Sequence, residues 1–124
     1  MSKPRLINTD KAPAAVGPYS QALATDSLVY TSGQLPLKDG AMPEGIKEQA
    51  AQCLENVKAV LAEAGTNMDK VLKVTVYLAD IADFAAVNEV YAKYFAQPYP
   101  ARSAFAVKAL PLGAKVEIEV VAML

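Results

Sequence analysis

Apolar residues recur at Ile46, Ala50, Cys53, Leu54, Val57, Val60, Leu61 and Ala64, at offsets of 4, 7, 8, 11, 14, 15 and 18 from the first. Only an α-helix gathers such a set on one face, and that face has to be buried against a second layer. Gly65 follows the last of them and can take the left-handed torsion that closes a helix. Val71–Leu78 then alternates, with Leu72, Val74, Val76 and Leu78 on one side and Lys73, Thr75 and Tyr77 on the other, which is the period of a strand. The centre of the chain therefore demands a helix lying on a sheet.

The flanks supply the rest of that sheet. Pro4, Pro13, Gly17 and Pro18 leave room for no more than a short extended stretch around Leu6–Ile7. Tyr19–Ala24 and Leu28–Gly33, separated by Asp26 and Ser27, read as a hairpin. Asp80 is placed to cap a second helix carrying Phe84, Val87, Asn88, Tyr91, Tyr94 and Phe95, and Pro98 and Pro100 end it. Arg102–Val107 and Ala114–Met123 are two further strands, joined by a loop containing Pro111 and Gly113. The expected class is α+β, a single domain over residues 1–124, with two helices on one sheet face. The other face keeps apolar residues together with Tyr30, Thr75 and Tyr77, and self-association is the economical way to cover it.

Composition narrows the chemistry. The 124 residues carry 12 Lys+Arg against 13 Asp+Glu, a net charge of −1, so binding to nucleic acid or to a membrane surface gets no electrostatic support. There is no His, which removes the usual imidazole base, the His-dependent triads and most zinc sites. Cys53, the single cysteine, forms no internal disulfide and lies on the apolar stripe, where an inert thiol is expected. The N-terminal segment runs into no long apolar stretch, so no leader or membrane span is indicated and the expected location is cytoplasmic. The spacing of the glycines matches neither a dinucleotide nor a phosphate-loop motif, and no organic or metal cofactor is implied.

Acid–base work then falls to carboxylates, Tyr, Lys or water. Read as an antiparallel pair, the last two strands bring Arg102 opposite Glu119 and diagonal to Glu117 on one face. Such a trio is either an anion clamp with a proton-handling carboxylate or a plain cross-strand ion pair. The pattern does not choose between Glu117 and Glu119. Tyr19, after Gly17-Pro18, sits where a rigid turn can aim a phenol, and Gly33 permits a close backbone approach. Asn88, on the apolar face of the second helix, calls for a hydrogen-bond partner on the sheet. Lys73 is best read as a snorkelling or ion-paired amine.

The segments Gly17-Pro18-Tyr19-Ser20-Gln21-Ala22, Ser32-Gly33-Gln34-Leu35-Pro36, Val87-Asn88-Glu89-Val90-Tyr91, Pro100-Ala101-Arg102-Ser103 and Val116-Glu117-Ile118-Glu119-Val120 occur in this order across the chain. Together they resemble the Rid family, also called YjgF, and most closely its RidA branch of enamine/imine deaminases. The resemblance implies a chorismate-mutase-like protomer that assembles as a barrel-centred homotrimer with active sites between subunits. It also implies hydrolysis of reactive 2-imino acids, such as 2-iminopropanoate and 2-iminobutanoate, to 2-oxo acids and ammonia, which protects pyridoxal-phosphate enzymes. In that frame Arg102 binds the substrate carboxylate and Glu117 holds the attacking water. Tyr19 and Gly33 line the pocket, and Phe84 and Asn88 stand beside it. Ala104 occupies a position where many members of the branch have Cys; its backbone N–H still suits the substrate carboxylate, but thiol chemistry there is excluded. The alternatives are a 2-oxo-acid-binding regulator without turnover and a ribonuclease or translation inhibitor.

Overall fold

The computed structural model describes residues 3–124. Met1 and Ser2, which open the segment read above as carrying no leader, lie outside the described residues. The strands are β1 (Arg5–Ile7), β2 (Ala22–Ala24), β3 (Leu28–Thr31), β4 (Val71–Leu78), β5 (Ala101–Ala106) and β6 (Val116–Met123), and the helices are α1 (Ile46–Ala64) and α2 (Phe84–Tyr94). They form one six-stranded sheet in the order β1-β2-β3-β6-β4-β5, antiparallel throughout except for the parallel pair β4 and β5. The α+β reading holds, with the expected hairpin present as β2 and β3 and the stretch around Leu6–Ile7 present as the edge strand β1.

Local chemistry accounts for the helix ends. Gly65 has φ of 91° and its N–H donates to the Ala62 carbonyl, closing α1 as its sequence requires. The Asp80 carboxylate accepts from the Ala82 N–H and caps a short 3-10 turn, Ile81–Asp83, that runs straight into α2. On the face of α1 turned to the sheet, Ala50, Cys53, Leu54, Val57, Val60 and Leu61 have no solvent exposure, against Val74, Val76, Leu78, Val116, Ile118 and Val120. Each such Leu or Val stabilises the fold by roughly 1.5–3 kcal/mol relative to exposure. Among the described residues no helix is long and apolar enough to cross a membrane.

Two sequence expectations are corrected. β5 and β6 are not neighbours: β4 lies between them, pairing with β5 in parallel and with β6 antiparallel. The reason is the β4-α2-β5 run, in which a helical crossover returns the chain to the same end of the sheet and makes the second strand parallel to the first. β6 then inserts between β3 and β4. The second correction concerns Leu72, expected to share the buried side of β4. A register shift between Val71 and Lys73 inserts an extra residue and reverses the alternation, so Val71 is 7% exposed and Leu72 43%.

Buried amides tie the loops to this frame. Gln21 accepts from the Thr9 N–H (2.7 Å) and donates to the Thr9 and Pro13 carbonyls (3.0 and 2.8 Å), pinning the N-terminal loop onto β2. From α1, Asn56 donates to the Leu35 and Leu37 carbonyls (3.0 and 2.9 Å), and Gln49 accepts from the Lys115 N–H (2.8 Å). These bonds hold the segment after β3 and the start of β6 in place, and that segment carries Gly33.

Candidate active site

After β3, the Gln34 N–H donates to the Ile118 carbonyl (2.7 Å) and the Ile118 N–H returns a bond of 3.2 Å. That exchange lays Gly33 directly over Glu117. A Cβ at Gly33 would stand 2.9 Å from Cδ of Glu117, closer than real contacts allow, and 3.2 Å from Cγ, tighter than most, so the glycine is what admits the carboxylate in this position. Tyr19, exposed beyond Gly17 (φ 119°), closes the same space and accepts from the Val16 N–H through its hydroxyl (3.4 Å). Together with Gln34, Leu35 and Leu112 these residues line a cavity of about 560 Å³.

Glu117 and Glu119 share the helix-free face of β6 and differ in surroundings. The Tyr77 hydroxyl, across on β4, donates to Oε1 of Glu119 at 2.7 Å. That bond, with burial and the negative charge of Glu119, pushes the Tyr77 phenol up to about 12, and the Phe105 ring meets Tyr77 edge-on at 5.5 Å. Glu119 is thus held as an acceptor. Glu117 faces the cavity, and its carboxyl is raised above the ordinary range first by burial and then by the charge of Glu119.

Arg102 lies elsewhere. In the parallel register it pairs with Val74, whose side chain faces the helices, whereas Glu117 and Glu119 pair with Tyr77 and Thr75 of the opposite face. The expected convergence of Arg102 with the two carboxylates in one chain is therefore wrong, because β4 separates the strands and the sheet separates the side chains. The Arg102 guanidinium instead packs on α2. It donates through Nη1 to Oδ1 of Asn88 (2.8 Å) and lies 5.2 Å from the Phe84 ring centre and 4.8 Å from that of Tyr91. Asn88 has the helix-to-sheet partner its place on the stripe calls for. Among the described residues the ion pair is Lys47 with Glu89, and Arg102 has no carboxylate partner. Asn88, Tyr91, Tyr99, Pro100 and Arg102 line a second cavity of about 410 Å³.

The other candidates fall into place around these two hollows. Ala104 is half-buried on β5 and packs against the core. Cys53 is buried and donates from Sγ to the Val116 carbonyl (3.6 Å); burial, then the charge of Glu117, pushes its thiol far up, leaving it inert. Lys73 is half-buried on the open face, in register with Val121. Sequence reasoning gave Tyr91 no part in the site, although its place seven residues after Phe84 and three after Asn88 on α2 was the available signal.

Gly33→Ala is expected to leave thermal stability nearly unchanged, since only the end of a flexible side chain has to move. It should lower activity by about 100-fold, the scale for a displacement near 1 Å at reacting groups. Parallel melting and kinetic measurements check this, and a wild-type rate would detach Glu117 from the chemistry.

Known proteins share both the sequence and this frame. A family model described as Endoribonuclease L-PSP matches residues 9–124. A goat (Capra hircus) protein named 2-iminobutanoate/2-iminopropanoate deaminase is 51% identical over 122 residues, covering 96% of this chain and 89% of its own length. The crystal structure of RidA from an Antarctic Psychrobacter superposes with a TM-score of 0.94 at 48% identity, covering 97% of this chain and 99% of that one. That of E. coli TdcF with bound serine does so with 0.93 at 40%, covering 97% and 98%. With residues 9–124 matched by the family model and relatives near half identity along almost the whole length, the chain belongs to the Endoribonuclease L-PSP family, the group also called YjgF or Rid.

Proposed function

We propose that this protein is an enamine/imine deaminase that hydrolyses 2-imino acids such as 2-iminopropanoate and 2-iminobutanoate to 2-oxo acids and ammonia. The observation that carries the reading is a guanidinium with no carboxylate partner among the described residues in one hollow and a half-buried carboxyl, raised above its ordinary range, in another, on opposite faces of one sheet. Neither half suffices alone. A second copy supplies the missing half if its Arg102 edge meets the Glu117 cavity of the first. The helix-free face favours such association, since it exposes Leu6, Leu23, Tyr30, Phe105 and Met123 in one chain. Closure as a homotrimer, with sites between subunits, buries that face without leaving a sticky edge.

In such a site Arg102 binds the substrate carboxylate through two parallel N–H bonds. The serine bound by the E. coli relative also carries an α-carboxylate, and the goat relative's name states the same reaction. Glu117 takes a proton from water as the water oxygen bonds to the iminium carbon and the C=N π pair moves to nitrogen. Returning that proton to nitrogen makes ammonia the leaving group. The lone pair of the hydroxyl oxygen expels ammonia as the C–N bond breaks, the proton on that oxygen passes to the again ionised Glu117 and from it to solvent, and the 2-oxo acid forms. The iminium carbon is already electrophilic, so placement of water and substrate is the larger part of the catalysis. Tyr19 supplies apolar wall and Gly33 the room for Glu117, while the engagement of Glu119 by Tyr77 favours Glu117 as the base.

The decisive test generates both imino acids in situ with an amino-acid oxidase and follows their decay. Acceleration over the uncatalysed rate is expected from the wild-type protein. A folded oligomer that binds 2-oxobutanoate without accelerating decay would replace this reading with a ligand-sensing role.

A further inference from the structure

We propose that Tyr91 is a positioning residue of the carboxylate site, its ring fixing the plane of the Arg102 guanidinium while leaving the positive charge uncompensated for the ligand. The proposal rests on the carboxylate-binding role given to Arg102 above.

Arg102 stands on β5, an edge strand, where a long cationic side chain ordinarily samples many rotamers. Here α2 confines it. Phe84, Asn88 and Tyr91 fall at i, i+4 and i+7 and so occupy one stripe of that helix. The two rings lie 5.2 and 4.8 Å from the guanidinium carbon, within cation–π range, and Asn88 takes one Nη1–H. Tyr91 is the rigid member of the set. It is 6% exposed, whereas Phe84 and Asn88 are half-buried, and its ring packs on the buried Phe95 ring with centres 4.6 Å apart.

Every group in this clamp is neutral. Asn88 offers an amide oxygen where an Asp would cancel the charge, and burial raises the Tyr91 phenol against the opposing pull of Arg102, keeping it protonated. The Tyr91 hydroxyl is buried without a hydrogen-bond partner among the described residues, so the face of the ring is the part that meets Arg102. A guanidinium held flat by uncharged neighbours keeps its remaining N–H donors and full charge for a planar carboxylate.

The test compares wild type, Tyr91→Phe and Tyr91→Leu by titration with 2-oxobutanoate, by the KM and kcat of imine hydrolysis, and by melting temperature and oligomer size. Tyr91→Phe should bind within about twofold of wild type, since the ring is retained. Tyr91→Leu should weaken binding and raise KM by about fivefold, the upper range for a cation–π contact of an exposed guanidinium, with a smaller change in kcat. A folded Tyr91→Leu protein that binds like wild type overturns the proposal. So does a Tyr91→Phe protein as weak as the Leu variant, which would assign the effect to the hydroxyl. If Tyr91→Leu does not fold, ¹⁵N relaxation of the Arg102 Nε–H in the wild-type protein decides. An order parameter near that of rigid backbone, about 0.85, supports the clamp, and one below about 0.6 overturns it. Weakened binding by Tyr91→Leu in a protein that does not hydrolyse imines would keep the positioning role while removing the deaminase reading. Absence of 2-oxobutanoate binding by a wild-type protein that also leaves imine decay unaccelerated would remove both.

Discussion

Replacing Glu117 with Gln is expected to lower kcat on 2-iminopropanoate by roughly two to four orders of magnitude, the usual worth of a positioned general base, with little change in KM. Gln has the shape of Glu and fits the space over Gly33, but its amide accepts no proton from water. The pH profile gives a second readout. Because burial and the charge of Glu119 raise the Glu117 carboxyl, wild-type kcat should fall as the pH drops through that elevated value and the base becomes protonated. Glu119→Gln removes the negative neighbour, which lowers the Glu117 pKa and moves that acid limb to lower pH. In Glu117→Gln the limb should disappear. An unchanged kcat in a correctly folded variant would mean that water is activated elsewhere.

Arg102→Ala should cut kcat/KM by about 100-fold or more, since two charge-assisted hydrogen bonds at roughly 1.5–3 kcal/mol each are lost together. Most of that loss should appear as weaker binding of both substrate and 2-oxobutanoate. The fold should survive, because Arg102 is exposed on an edge strand and has no ion pair among the described residues. Arg102→Lys is the sharper control. It keeps the charge but has neither the two-pronged fork nor the flat surface that Phe84 and Tyr91 embrace, so it should restore little. Comparable kcat/KM in the Lys variant would reduce the role of Arg102 to a diffuse positive charge.

Much of the architecture was legible because its causes are local. The stripe from Ile46 to Ala64 and the closing Gly65 identify α1, Asp80 marks the entry to α2, and the helix-free face of β6 shows its apolar end in Val121 and Met123. Tyr19, Gly33 and Glu117 meet at one cavity, and Phe84 and Asn88 meet Arg102 beside another. The errors had non-local causes. Leu72 was misplaced by a single inserted residue at the bulge, which no alternation pattern announces. The hydrophobic pattern carries no signal for Gln21, Gln49 and Asn56, yet each is buried and satisfied by carbonyls or N–H groups of distant loops.

The position of Arg102 divides the two levels most clearly. By itself the sequence determined which residues carry usable chemistry: no His, one inert Cys, a guanidinium and two carboxylates on strands, and helices whose apolar stripes require a sheet. Only the tertiary structure decided that β4 stands between β5 and β6, so that Arg102 faces α2 and Glu117 faces away from it. Side-chain periodicity is a property of a few neighbouring residues, whereas the choice of strand neighbours depends on the crossover through α2 and on the burial of both helices at once. The same strand reads identically whether its partner is β4 or β6, and the face that it turns to that partner determines which groups can meet within one chain.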